Sequence, residues 1–95
     1  MEQNDKAQFS LGQLVATPGA LDALTRTEES PLTFIARHIT GDWGDVDAED
    51  AQENEFALDK FLRLFSVYHL KDGTKIWVIT EADRSVTTIL LPSEY

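Results

Sequence analysis

The stretch FLRLFSVYHLKDGTKIWVITEADRSVTTILLP, residues 61–92, decides the fold, because its composition changes from helix-forming to strand-forming residues. Two runs, 61–70 and 75–81, are rich in β-branched and aromatic residues and flank an Asp-Gly pair typical of hairpin turns. The polar segment ADRS separates the second run from a third one over 86–91. Because strands joined by short connections usually pair, the pattern predicts a three-stranded antiparallel meander.

Three short helices are predicted before the meander, and each begins with a capping residue. Thr17 and Ser30 are followed by proline, which suits the first helical position because no backbone N–H is needed there. Asp47 is the third cap, with Asp50 three residues later and apolar residues at 46 and 51 spaced as a hydrophobic staple. Gly41 can end the second helix in the left-handed conformation. The predicted helices cover 18–25, 31–39 and 48–58.

Helices followed by strands predict a single α+β domain over residues 9–95, in which the apolar helix faces cover one side of the meander. Residues 9–17 contain enough apolar side chains to enter the core as an extended piece, which would add a short N-terminal strand. Residues 1–8 are polar and are expected to form a flexible arm.

Composition narrows the function classes. The 95 residues include 17 acidic and 8 basic side chains, which give a formal net charge of −9. This balance argues against direct nucleic-acid binding, which depends on lysine and arginine, and it permits a basic protein partner. The polar N-terminus and the short apolar runs predict neither a signal peptide nor a membrane span, so we expect a cytoplasmic protein.

The segment HITGDWGDVDAEDAQENE, residues 38–55, holds seven carboxylates and no basic side chain apart from its histidine. A calcium loop beginning at Asp45 fails, because the glycine position holds Asp50 and the closing glutamate position holds Phe56. Zinc would need more nitrogen or sulfur ligands than His38 supplies, and the chain has no cysteine. We therefore expect no metal and no cofactor. His38 is interpreted as a helix-end residue whose cationic form would favour the helix dipole.

For Trp43 and for the polar turn at residues 81–84, the sequence leaves two interpretations open. Trp43, between two glycines, is expected to fold back as a hydrophobic plug with its N–H on a carbonyl, or else to stand exposed as a binding anchor. The turn containing Glu81, Asp83 and Arg84 is expected to be polar with a local ion pair. Alternatively, it presents Glu81 and Arg84 beside the Trp43 loop.

Capping explains most of the acids in residues 38–55, but four of them exceed what a helix start needs. These four acids, together with the tryptophan among them, are predicted to bind a basic protein partner. Catalysis is not expected, since there is no cysteine and no serine in a strand-turn-helix elbow. The predicted partner-binding residues are Asp42, Trp43, Asp45, Glu49 and Glu53.

The segments VATPGALDAL, RHITGDWGDVDAEDAQENE, DGTKIWVITEADRSVTTILLP and SEY resemble short proteins carried on bacterial plasmids, phages and integrative elements, usually labelled plasmid-related or hypothetical. The resemblance runs from Phe9 onward and brings no activity that can be assigned to single residues. It implies a cytoplasmic accessory protein of a mobile genetic element.

Three function classes follow. The first is a non-enzymatic protein-interaction module, and the second is an acidic nucleic-acid mimic that inhibits a host restriction or defence protein. The third is a small metal-dependent or hydrolytic enzyme centred on His38 and the neighbouring acids.

Overall fold

The computed structural model describes residues 6–95 and confirms an α+β fold in which the helices precede most of the strands. Residues 1–5 of the predicted flexible arm lie outside this range, whereas the backbone N–H of Gln8 donates to the carbonyl of Ile39. The elements are β1 (Gln13–Ala16), α1 (Pro18–Thr27), α2 (Pro31–Ile39), α3 (Ala48–Lys60), β2 (Leu64–His69), β3 (Lys75–Thr80), β4 (Val86–Leu90) and a 3₁₀ turn (Pro92–Glu94).

The sheet contains four strands in the order β1-β4-β3-β2, rather than three. Strands β2, β3 and β4 form the predicted antiparallel meander, and β1 adds to it in parallel, with Gln13 beside Val86. Strand β2 begins three residues later than the predicted 61, because α3 continues to Lys60. Phe61 then ends the helix in the left-handed conformation, with φ at 54°.

The helix starts confirm the capping predictions. Each cap side chain accepts a hydrogen bond from a first-turn N–H: Thr17 from Ala20, Ser30 from Leu32, and Asp47 from Asp50 at 2.8 Å. These bonds satisfy donors that the helix itself leaves unpaired.

The main core lies between the sheet and the first two helices. Residues from both layers are buried and pack together: Ala20, Ala23, Leu24, Phe34, Ile35, Tyr68, Leu70, Ile76, Val78 and Ile89. A second cluster under α3 joins Trp43, Ala57 and Leu64, with Phe9, Val46 and Ala51 packed against it. On the other face of the sheet, Trp77 makes edge contacts with Phe65 and Tyr95. Within residues 6–95, no helix is long and apolar enough to cross a membrane.

The segment before α3 closes the outer edge of β2. The backbone N–H of Val67 donates to the Trp43 carbonyl, and the Val67 carbonyl accepts from the Asp45 N–H. Gly44 lies between these partners with φ at 75°, and a Cβ there would be 2.0 Å from the Val67 carbonyl oxygen. Asn54 of α3 pairs through its side-chain amide with both backbone groups of Phe65.

Candidate functional site

The outward face of α3 carries an open groove that combines acidic and apolar side chains. Glu49, Gln52, Glu53, Phe56 and Leu62 line it. The Phe56 side chain is 57% exposed and Leu62 is 48% exposed, although both are large and apolar. Since Phe56 and the buried Asn54 are two residues apart, they point to nearly opposite sides of the helix. Phe56 therefore cannot pack into the core through the buried side of α3, and its side chain lies on the protein surface.

Glu49 and Glu53 are the acids of this groove, one helical turn apart. Both are exposed, and neither forms an ion pair with any residue in 6–95. Like charges at this spacing repel by a few tenths of a kcal/mol, roughly 0.2–0.5. At the far end of the groove, the Lys60 ammonium lies 6.0 Å from the Phe56 ring centroid. The groove thus has an acidic end with two unneutralised carboxylates.

Asp42 and Asp45 differ from this pair because both have partners within the chain. Asp42 accepts two hydrogen bonds from the Arg37 guanidinium, at 2.7 and 3.3 Å, and this contact lowers the pKa of Asp42. Asp45 lies 2.7 Å from the His69 ring Nδ1. Asp42 also lines a separate groove, beside Arg37 and Ala36. Of the four predicted acids, only Glu49 and Glu53 line the α3 groove.

Trp43 is buried, with 5% of its surface exposed, which confirms the prediction of a hydrophobic plug and contradicts the exposed anchor. Its Nε1–H donates to the Glu55 carboxylate at 2.9 Å, rather than to a carbonyl. The indole stacks on Phe9 and contacts the His38 ring at its edge. A partner that meets the folded chain consequently cannot take this indole into a pocket of its own, although Glu49 and Glu53 remain accessible.

His38 lies in the last turn of α2, as predicted, but it is fully buried rather than a cation at the helix end. Its Nδ1 lies 2.6 Å from Ser66 Oγ and its Nε2 lies 2.9 Å from Thr80 Oγ1. Desolvation lowers the pKa of His38 from 6.5 to about 4, so the ring is neutral at pH 7. A neutral ring gains nothing from the negative end of α2. The imidazole instead ties that helix to the sheet.

His38, Ser66, Thr80 and Thr87 form a buried hydrogen-bonded network, and its protons can be assigned by starting from Thr87. Thr87 donates its hydroxyl proton to the Leu11 carbonyl at 2.8 Å, so its oxygen must accept from Thr80. Thr80, having donated, accepts from His38 Nε2–H, which leaves Nδ1 unprotonated and the Ser66 hydroxyl as its donor. Every buried polar group of the network is satisfied. The sequence carries only a weak signal of this buried network, because Ser66, Thr80 and Thr87 lie among apolar residues in the predicted strands.

Arg84 also differs from its prediction. The expected ion pair within this turn is not found among the described residues, and Glu81 instead pairs with Arg63 at 3.3 Å. Arg84 is 8% exposed, and its guanidinium donates to backbone carbonyls, including those of Ala57 and Leu62 at the C-terminal end of α3. Cations favour this end of a helix. Arg84 therefore fixes α3 to the β3–β4 hairpin, and desolvation lowers its pKa.

The enzymatic alternative centred on His38 meets a geometric obstacle. The Ser66 and His38 side chains are hydrogen-bonded, as in a nucleophile-base pair, but both are completely buried. A substrate could reach neither without opening the core. Within residues 6–95, no group of three or more histidine, cysteine or carboxylate side chains is placed to hold a metal ion.

Comparisons with protein-family models, curated proteins and solved structures gave no match to this chain.

Proposed function

We propose that this chain is a non-enzymatic protein-interaction module that binds a basic partner through the α3 groove. The observation that carries the proposal is the placement of two unpaired acids beside exposed apolar side chains on one helix face. A helix face that only contacts solvent would account for the acids but not for the exposed Phe56 and Leu62 side chains. A purely apolar contact would need neither acid.

The partner is an amphipathic segment with lysine or arginine beside an apolar face. Burying Phe56 and Leu62 would contribute roughly 1.5–3 kcal/mol for each side chain that becomes fully covered. Glu49 and Glu53 would add mainly specificity and association rate, because they are exposed and screened by salt. Phe61, 64% exposed just after α3, could enlarge the contact.

The mobile-element resemblance supports a cytoplasmic accessory role for such a module. The acidic nucleic-acid mimic remains the second candidate, favoured by the net charge of −9. The two differ in what competes for the partner. A mimic occupies a nucleic-acid groove, so DNA should displace it, whereas a helix-groove contact should be displaced by a basic amphipathic peptide.

Titration with a fluorescein-labelled peptide of leucine and lysine at helical spacing tests the proposal. We expect saturable binding that weakens at least tenfold in the Phe56→Ser variant. In Glu49→Gln/Glu53→Gln, binding should weaken and lose much of its salt dependence. The matched control is Glu28→Gln/Glu29→Gln, which removes two charges from the end of α1 and should bind like the wild type. Equal weakening in the control and the groove variant would show that only net charge matters.

A further inference from the structure

Strand β1 leaves one edge of the sheet open. The backbone N–H groups of Gln13 and Thr17 donate to Ser85 and Ile89, so the odd-numbered residues of this strand bond toward β4. By alternation, Leu14 and Ala16 direct their N–H and carbonyl groups away from the sheet. No described strand lies beyond β1, and no group in residues 6–95 hydrogen-bonds to these four backbone groups.

The two edges of the sheet differ in how many of their outward-facing backbone groups are hydrogen-bonded. The β2 edge is largely closed by Asn54 and by the Gly44 bridge, which satisfy the backbone groups of Phe65 and Val67, two of its three outward-facing residues. Folded proteins usually protect an open edge with a short strand, a charge, a proline or a bulge. Strand β1, with the sequence QLVA, is four residues long but carries no charge, proline or bulge.

The sequence around β1 is also free of charge, although the Glu94 carboxylate accepts hydrogen bonds from Thr17 Oγ1 and the Gly19 N–H just beyond the end of the strand. Residues 7–21 contain no acidic or basic side chain, in a chain in which 26% of the residues are charged. Leu14 is 40% exposed and Leu21, on α1, is 48% exposed. Two molecules that each carry a net charge of −9 can approach most closely where neither presents a charge.

We propose that the β1 edge binds a second copy of this chain, by antiparallel pairing about a twofold axis at Val15. In that register Leu14 lies opposite Ala16 of the partner, and all four outward backbone groups of each strand are paired. Val15 faces its own counterpart as a non-hydrogen-bonded pair. The occupant is a second copy because the strand pairs with itself in this register and its own residues are uncharged, whereas a basic partner would favour the acidic α3 groove.

Pairing would produce a continuous eight-stranded sheet. Since β2 lies at the opposite edge from β1, the two copies of β2 would be separated by seven strand spacings, about 34 Å. Helix α3 packs on β2, so the two α3 grooves would lie at the far ends of the dimer. This consequence rests on the proposed function, but the dimer itself does not.

Sedimentation velocity from 5 to 500 µM tests the dimer. We expect the wild type to shift from 10.7 kDa toward twice that mass as its concentration rises. Leu14→Lys should remain monomeric throughout. The control Leu32→Lys makes the same exchange at an exposed α2 position and should dimerise like the wild type. Because either lysine reduces the net negative charge equally, a loss confined to Leu14→Lys cannot come from the change in net charge.

Disulfide trapping tests the register independently, because the chain contains no cysteine. Val15→Cys should give a covalent dimer on mild oxidation, since Cα atoms of a non-hydrogen-bonded pair lie about 4.5 Å apart. Gln13→Cys is the matched control on the same strand face. In the proposed register its sulfur has no counterpart within about 13 Å.

A wild type that stays monomeric to 500 µM would overturn the proposal. So would a Leu14→Lys variant, folded by circular dichroism, that dimerises like the wild type, or a Gln13→Cys variant that crosslinks as fast as Val15→Cys. Failure of peptide binding at α3 would affect none of these measurements, so the two proposals can fail separately.

Discussion

At the scale of single residues, the largest departure from expectation is a histidine that carries no charge. A cationic ring at the end of α2 would be an ordinary surface feature, but the His38 ring is fully buried between Ser66 and Thr80. Its neutral state makes folding sensitive to mild acid, because the unfolded chain can bind a proton that the folded chain excludes.

Stability should therefore fall as the pH is lowered from 7. The folded pKa of about 4 lies below the unfolded value of 6.5, so the unfolded state binds more protons over this interval. Between pH 7 and 5 the loss should be about 2 kcal/mol in the free energy of unfolding from urea titrations. His38→Gln retains an amide that can bond to both hydroxyls but does not titrate, so its stability should change much less. Parallel curves for the two proteins would contradict the assignment.

At the scale of elements, the sequence predicted those features that local chemistry controls. The caps, the prolines and the Asp-Gly turn act within a few residues, and they located three helices and the meander. The partner of β1 and the depth of His38 could not be predicted, because they depend on residues more than 25 positions away. The start of β2 was misplaced because Phe61, an ordinary strand residue, adopts the left-handed conformation that glycine usually supplies.

The segment between α2 and α3 connects the two helices and also forms a β-bridge to the edge of β2. Glycine at position 44 is therefore required by close contact as well as by its backbone conformation. Gly44 and Gly73 both have positive φ, but a Cβ at Gly73 would meet nothing within 4 Å. Gly73→Ala should cost about 1–2 kcal/mol from the left-handed conformation alone. Gly44→Ala should cost at least about 1 kcal/mol more, because the bridge to Val67 must shift. Equal losses in chemical denaturation would show that no close approach is enforced.

The four predicted partner-binding acids should separate into two groups by their effect on stability. Asp42→Asn/Asp45→Asn weakens the contacts to Arg37 and His69 and should lower the melting temperature. Glu49→Gln/Glu53→Gln relieves a like-charge pair and should leave it unchanged or raise it slightly. Differential scanning calorimetry at low salt makes this comparison with the same number of charges removed. A fall in the second variant would mean that these two acids hold the fold together.

At the scale of the whole molecule, the charges are unevenly divided. The described residues form three ion pairs between lysine or arginine and a carboxylate, all of them with partly exposed side chains of the kind that contribute about 0–1 kcal/mol each. The contact between His69 and Asp45 is ionic only when the ring is protonated. The remaining acids leave the chain far from neutrality, and repulsion among them opposes the compact state. Salt weakens both the ion pairs and the repulsion among the acids, so the direction in which it changes the melting temperature shows which of the two is larger.

Repulsion should dominate at neutral pH. With a net charge of −9 and only three weak ion pairs among residues 6–95, raising NaCl from 20 to 200 mM shortens the screening length and should increase the melting temperature. The internal control is pH 4.4, the isoelectric point, where the same addition of salt should have little or no stabilising effect because the net charge is zero. Scans at 5 µM limit any contribution from dimer formation. A melting temperature that falls with salt at pH 7 would mean that ion pairs such as Arg37–Asp42 outweigh the repulsion, and that the acidic surface stabilises the fold.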